Sequence, residues 1–207
     1  MKINKLLIIV VAFTMTTKSF AQVKYGVKAG LNLANMNEKD NDGSDNDGKT
    51  SKIGFHIGGT AEFPASEAVS VQTGLLFSSK GYKSSNLGVS STMNVNYLEI
   101  PINTIYKIEI GSSKLCLSAG PYLGYAVSAD KKSGDAEVDI KIGSGDKDTY
   151  KALDYGLNIG AGVELNDKIT IGLQYGIGLA NISSDTEFGK SAKNNVFGIS
   201  VGYMFGQ

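Results

Sequence analysis

The chain has one histidine, His56, and one cysteine, Cys116, so single residues of either type limit the chemistry available. A metal site built from several histidines is excluded by count, and a Ser–His–Asp site would need partners converging on His56. His56 shares a strand face with Gly58 and Glu62, and it reads as a polar group in an internal network. Cys116 has no partner for an intrachain disulfide and reads as a small buried filler. The acidic run Glu38-Lys39-Asp40-Asn41-Asp42-Gly43-Ser44-Asp45-Asn46-Asp47-Gly48 has the oxygen donors calcium takes. On the EF-hand template Glu38, Asp40, Asp42 and Gly43 match loosely, but the twelfth position is Lys49 where a bidentate Glu is required. The run reads as a solvated surface loop, and its spacing leaves calcium binding open. Asp130, Asp135, Glu137, Asp139, Asp146 and Asp148, set among lysines, read the same way. Gly58-Gly59 and Gly124 sit inside strand patterns, so they form no phosphate loop. No catalytic, cofactor-binding or metal-ligating residue is assigned, and an enzyme is not expected.

The elements that must carry these residues alternate with a period of two. Ile169, Ile171, Leu173, Tyr175, Ile177 and Leu179 face one way, against Thr170, Gly172, Gln174, Gly176, Gly178 and Ala180. Apolar residues at every second position mark β-strands. Eight such segments are predicted, at 23–33, 53–63, 69–80, 93–108, 114–127, 151–164, 169–182 and 195–205. Each meets the about 9–11 residues that a tilted strand needs to cross a bilayer. The connections alternate in length. Residues 64–68, 109–113 and 165–168 are short, with turn chemistry in Leu165-Asn166-Asp167-Lys168. Residues 34–52, 81–92, 128–150 and 183–194 are long and polar. This asymmetry predicts an all-β fold: an eight-stranded antiparallel up-and-down transmembrane β-barrel with short periplasmic turns and long external loops.

The polar face of these strands is crowded with glycine, of which the chain has 26. Glycine makes a poor water-facing strand. With the apolar face toward lipid, glycine and small polar residues fill a narrow interior instead. Lys24, Lys28, Glu62, Glu99, Lys107 and Glu164 all fall on that inward face. Charges in such an interior must pair, because isolated ions are costly in low dielectric. Carboxylates gathered with His56 at an open mouth would mean a ligand-binding or catalytic barrel, whereas carboxylates paired to lysines mid-barrel would be structural. Tyr25, Phe55, Phe63, Phe77, Tyr106, Tyr175, Tyr203 and Phe205 point outward and suit an aromatic girdle.

All 20 basic residues are lysine and meet 20 acids, which gives none of the basic excess that nucleic-acid binding needs. Lys2 and Lys5 precede the apolar run Leu6–Phe13, and Ser19-Phe20-Ala21 supplies a cleavage pattern. Residues 1–21 are therefore expected to be a signal peptide, leaving 22–207 as the barrel domain.

Several strings carry a family resemblance. They are Val23-Lys24-Tyr25-Gly26-Val27-Lys28-Ala29-Gly30-Leu31-Asn32-Leu33, Gly74-Leu75-Leu76-Phe77-Ser78-Ser79-Lys80-Gly81, Tyr97-Leu98-Glu99-Ile100-Pro101, Ala119-Gly120-Pro121-Tyr122-Leu123-Gly124 and Phe197-Gly198-Ile199-Ser200-Val201-Gly202-Tyr203. As a set they resemble the PorT-like outer-membrane β-barrel proteins of Bacteroidetes. The resemblance implies an outer-membrane barrel with no shared catalytic motif, in a family where one class assists secretion across the envelope. The expected function is a non-enzymatic, structural or interaction/secretion-related envelope component acting through its external loops. Expected partners are outer-membrane lipid and lipopolysaccharide, with envelope proteins reached through the loops, and the expected state is a monomer. The alternatives are a small ligand-binding or catalytic barrel using inward polar residues, and a soluble lipocalin-like carrier. An open porin is disfavoured, because eight strands enclose an interior only wide enough for side chains.

Overall fold

A computed structural model describes residues 23–39, 49–86, 89–134, 136–143, 149–184 and 191–205. Residues 1–21, expected to be a signal peptide, lie outside them. The strands are β1 (Lys24–Lys39), β2 (Lys49–Pro64), β3 (Val69–Asn86), β4 (Val89–Ile110), β5 (Ser113–Ser133), β6 (Ala136–Asp139), β7 (Leu153–Leu165), β8 (Ile169–Gly178) and β9 (Ser191–Phe205). All pair antiparallel with their neighbours. Eight of them form a ring, which β1 and β9 close through pairs running from Tyr25↔Phe205 to Lys39↔Ser191. β6 lies outside the ring and pairs with β5 through Asp130↔Asp139 to Ser133↔Ala136.

The three short connections sit at one end, together with the start of β1 and the end of β9, and this is the periplasmic end of such a barrel. Local chemistry fixes each of them. Val69 N–H and the Ser66 hydroxyl close the first, at 3.0 Å. Gly111 supplies a positive φ of 63° in the second. In the third, Asn166 and Asp167 both adopt positive φ, 51° and 56°, as tight hairpins require, and Lys168 N–H donates to the Leu165 carbonyl at 3.1 Å.

Alternation sets the faces as expected across the membrane-spanning stretch. Leu173 and Ile199 are about half exposed, at 50% and 49%, while Glu62, Glu99, Asn158 and Glu164 are buried. Curvature makes the inner face tight. A Cβ on Gly120 would collide with the Ile102 carbonyl oxygen, and one on Gly30 would lie 2.6 Å from Cε1 of His56. Glycine is required at those two inward positions because an eight-stranded wall bends too sharply for a side chain there.

Three expectations need correction at the loop end. First, 81–92 is mostly strand: β3 runs on to Asn86 and β4 starts at Val89. β1, β2, β4, β5 and β9 also continue beyond their predicted ends, so the barrel projects as paired strand. Polar residues extend a strand as readily as apolar ones when the ladder hydrogen bonds are already in register. Second, β8 stops at Gly178 rather than at residue 182, and β6 was not predicted. Third, the interior of this projection is apolar. Met36, Met93, Val95, Tyr97, Ala126, Ala129, Tyr150, Ala180, Ile182 and Ala192 form a buried cluster, with Tyr82, Ile140 and Ile142 against it. Above the bilayer the outer face meets water, so the apolar side turns inward. In β4 the switch falls between Tyr97, wholly buried, and the lipid-facing Leu98.

Candidate functional site

Beneath the apolar plug the lumen holds a ladder of charges. Lys80 of β3 lies 2.6 Å from Glu99 of β4 and 3.3 Å from Asp154 of β7. Around this triad, Asn194 Nδ2 donates to Asp154 Oδ2 at 2.9 Å and to the Tyr97 hydroxyl at 3.2 Å. The Lys80 ammonium stands 4.3 Å from the Tyr122 ring centroid and 5.0 Å from that of Tyr97. A buried ammonium flanked by two carboxylates and two ring faces is neutralised from several sides, which is what its burial demands.

A second triad lies toward the periplasmic end. Lys107 of β4 meets Glu62 of β2 at 2.6 Å and Glu164 of β7 at 2.7 Å. Lys114 stands 4.0 Å from Glu164 and also pairs with Asp167 of the turn. That hydrogen bond holds the Asp167 carboxyl below the usual carboxylate range.

Between the triads, His56 Nδ1 is 2.8 Å from Asn32 Oδ1, and Asn32 Nδ2 donates to the Ser78 hydroxyl at 3.2 Å. Lys28 Nζ donates to Gln174 Oε1 at 3.1 Å. Lys52, nearer the plug, donates to the Ser79 hydroxyl at 3.0 Å.

All six charges predicted inward are inward, and His56 joins a polar network as expected. Of the inward lysines Lys24, Lys28 and Lys107, Lys107 pairs with Glu62 and Glu164 among the described residues. Lys28 goes to an amide, and Glu99 takes Lys80, which the sequence reading did not single out. Lys80, Asp154, Lys114 and Asn194 were missed. The signal was present for Asp154, which shares its strand parity with Glu164, and for Lys80, which shares its parity with Ser78. Glu62, Glu99, Glu164 and His56 do not converge on one open site. Cys116 is buried near the second triad.

The acidic run is outside the described residues from 40 to 48, as are Asp135, Asp146 and Asp148. Asp130 accepts from Asn94 Nδ2. Glu137 pairs with Lys132 at 3.2 Å. Among the described residues, no three His, Cys, Asp or Glu side chains gather as metal ligands would.

No curated protein matches the chain. Solved structures of similar architecture include the Neisserial surface protein A, with 14% identity over 89% of this chain and 99% of that one, and a TM-score of 0.49. Ail, the attachment invasion locus protein of Yersinia pestis, has 14% identity over 89% of this chain and 99% of that one, at 0.45. OprG from Pseudomonas aeruginosa has 12% identity over 89% of this chain and 95% of that one, at 0.44. The family model described as outer membrane protein beta-barrel domain matches residues 19–184. With that match covering most of the strands that close the ring, the chain belongs to the outer-membrane β-barrel domain family.

Proposed function

We propose that this outer-membrane protein is a closed, non-enzymatic barrel that serves the envelope through the surface of its external projection, as the PorT-like resemblance implies. The observation that carries this reading is the filled lumen. An apolar plug and two ion triads occupy the barrel one above the other, and each triad ties strands that do not pair. Such a lumen serves rigidity, which leaves contact with partners to the projection. There β3 to β5 present Lys83, Thr92, Asn96, Ser128 and Lys132 outward, a hydrogen-bonding face for lipopolysaccharide sugars and phosphates or for an envelope protein.

The test is paired. Purified protein in planar bilayers is expected to give no stable open steps, and stable steps would sink the closed-barrel reading. Charge reversal of Lys83 and Lys132 is expected to abolish co-purification of lipopolysaccharide or an envelope protein while the heat-modifiable fold persists. Unchanged co-purification would remove that face from the proposal.

A further inference from the structure

The lumen and its periplasmic rim hold Lys24, Lys28, Lys52, Lys80, Lys107 and Lys114 alongside Glu62, Glu99, Asp154, Glu164 and Asp167. Lys80, Lys107 and Lys114 each touch carboxylates, whereas Lys28, midway along the lumen, donates to a neutral amide and Lys52 to a hydroxyl and a carbonyl. Of these last two, Lys28 lines the larger cavity below. An ammonium so placed calls for a counter-charge.

A cavity of about 70 Å³ adjoins Lys28 on its periplasmic side. One water needs about 10–15 Å³, so the cavity has room for several waters or for an anion of four or five heavy atoms. Its walls include Thr60, Asn103, Ser118 and Ser200. The Thr60 hydroxyl and the Asn103 side-chain oxygen are buried without a partner. Buried polar atoms are nearly always satisfied, and the carboxamide of Asn103 can turn either its oxygen or its N–H₂ toward a guest. The two carboxylates in the wall, Glu62 and Glu164, each give one oxygen to Lys107, and the other oxygen of Glu164 lies 4.0 Å from Lys114 without a hydrogen bond.

We propose that this chamber is a binding site for a small oxyanion, a monocarboxylate or phosphate, held by the Lys28 ammonium and by hydrogen bonds from Thr60, Ser118, Ser200 and the Asn103 amide. The plug seals the far end, so the anion comes from the periplasm. The site makes the barrel a periplasm-facing receptor as well as a surface component, and it stands whether or not the external face binds a partner.

Cys116 lines the same chamber and serves as a native reporter. The experiment follows its labelling by a small neutral methanethiosulfonate on folded protein in lipid nanodiscs, with acetate or inorganic phosphate replacing chloride at constant ionic strength. The expected result is labelling slowed about tenfold at an anion concentration ten times Kd, with a matching rise in the unfolding midpoint. Lys28→Met and Lys28→Gln, both still heat-modifiable, are expected to label at one rate in all three salts. A response to acetate alone assigns a carboxylate site, and a response to both assigns a general oxyanion site. The proposal is overturned by equal rates in every salt for the native chain, by equal protection in the Lys28 variants, or by a Cys116 that never reacts.

Discussion

Lys80 and Asp154 are 74 positions apart on strands that do not pair, and they meet across the lumen at 3.3 Å. The same lysine holds Glu99 of β4 at 2.6 Å, so one ammonium ties three strands together. Lys80→Met therefore strands two buried carboxylates, and a loss of about 3–5 kcal/mol is expected in urea unfolding from lipid vesicles. The triple change Lys80→Met, Glu99→Gln, Asp154→Asn is expected to recover most of it. A triple variant as weak as the single one would show that the ammonium acts by packing rather than by charge.

The lipid face predicts a contrast within one strand. Leu173 is at the middle of β8 and faces outward. Leu173→Arg is expected to cost about 2–4 kcal/mol at the bilayer midplane. Leu173→Phe should be close to neutral. Equal stability for Leu173→Arg would mean that this face does not meet hydrocarbon.

The plug makes a structural and an electrical prediction. Ile182 is fully buried in it, and Ile182→Ala is expected to cost about 2–5 kcal/mol. Met93→Ser, Val95→Ser and Tyr97→Ser combined should wet the upper lumen and produce brief conductance steps that the native chain lacks. A silent triple variant would place the barrier in the charged ladder alone.

The Lys114–Asp167 pair stands at the periplasmic rim and predicts a pH dependence. Asp167 has its carboxyl lowered by the Lys114 hydrogen bond, so its contribution is present above the unfolded value of about 3.9 and is lost as pH falls through the folded one. The pair is largely exposed, so that contribution is below about 1 kcal/mol. Asp167→Asn keeps the positive φ that asparagine tolerates. It should melt slightly earlier than the native chain near neutral pH and coincide with it in acid, as read from the temperature at which the heat-modifiable band disappears. A gap that persists in acid would assign Asp167 a role in the turn itself.

Much of the fold was legible in the residues. Alternation in Ile169–Gly178 gives the strand and its lipid face together, and the turn chemistry of Asn166-Asp167 gives the hairpin. The projection was harder to read. The Ser-rich stretch 81–92 looks like a loop because its composition is mostly polar, yet the ladder between β3 and β4 pairs Gly81 with Asn94 and Ser85 with Ser90. Pairing depends on a neighbour already in register, which composition does not report.

The sequence by itself determined the class of the molecule, because a period of two, glycine on one face and charge on the same face are properties of residues and their order. It also placed Glu62, Glu99, Lys107 and Glu164 inside, since parity requires no partner. Which lysine meets which carboxylate was decided only by the tertiary structure. Those contacts cross the lumen, so they depend on the stagger of eight strands around a closed ring. The same stagger brings Met36, Met93 and Ile182 from three distant segments into one plug, and it leaves Lys28 bonded to an amide beside a cavity whose wall carboxylates, Glu62 and Glu164, are held by Lys107. Alternation along a strand says which way a side chain points, and only closure of the sheet says what it finds there.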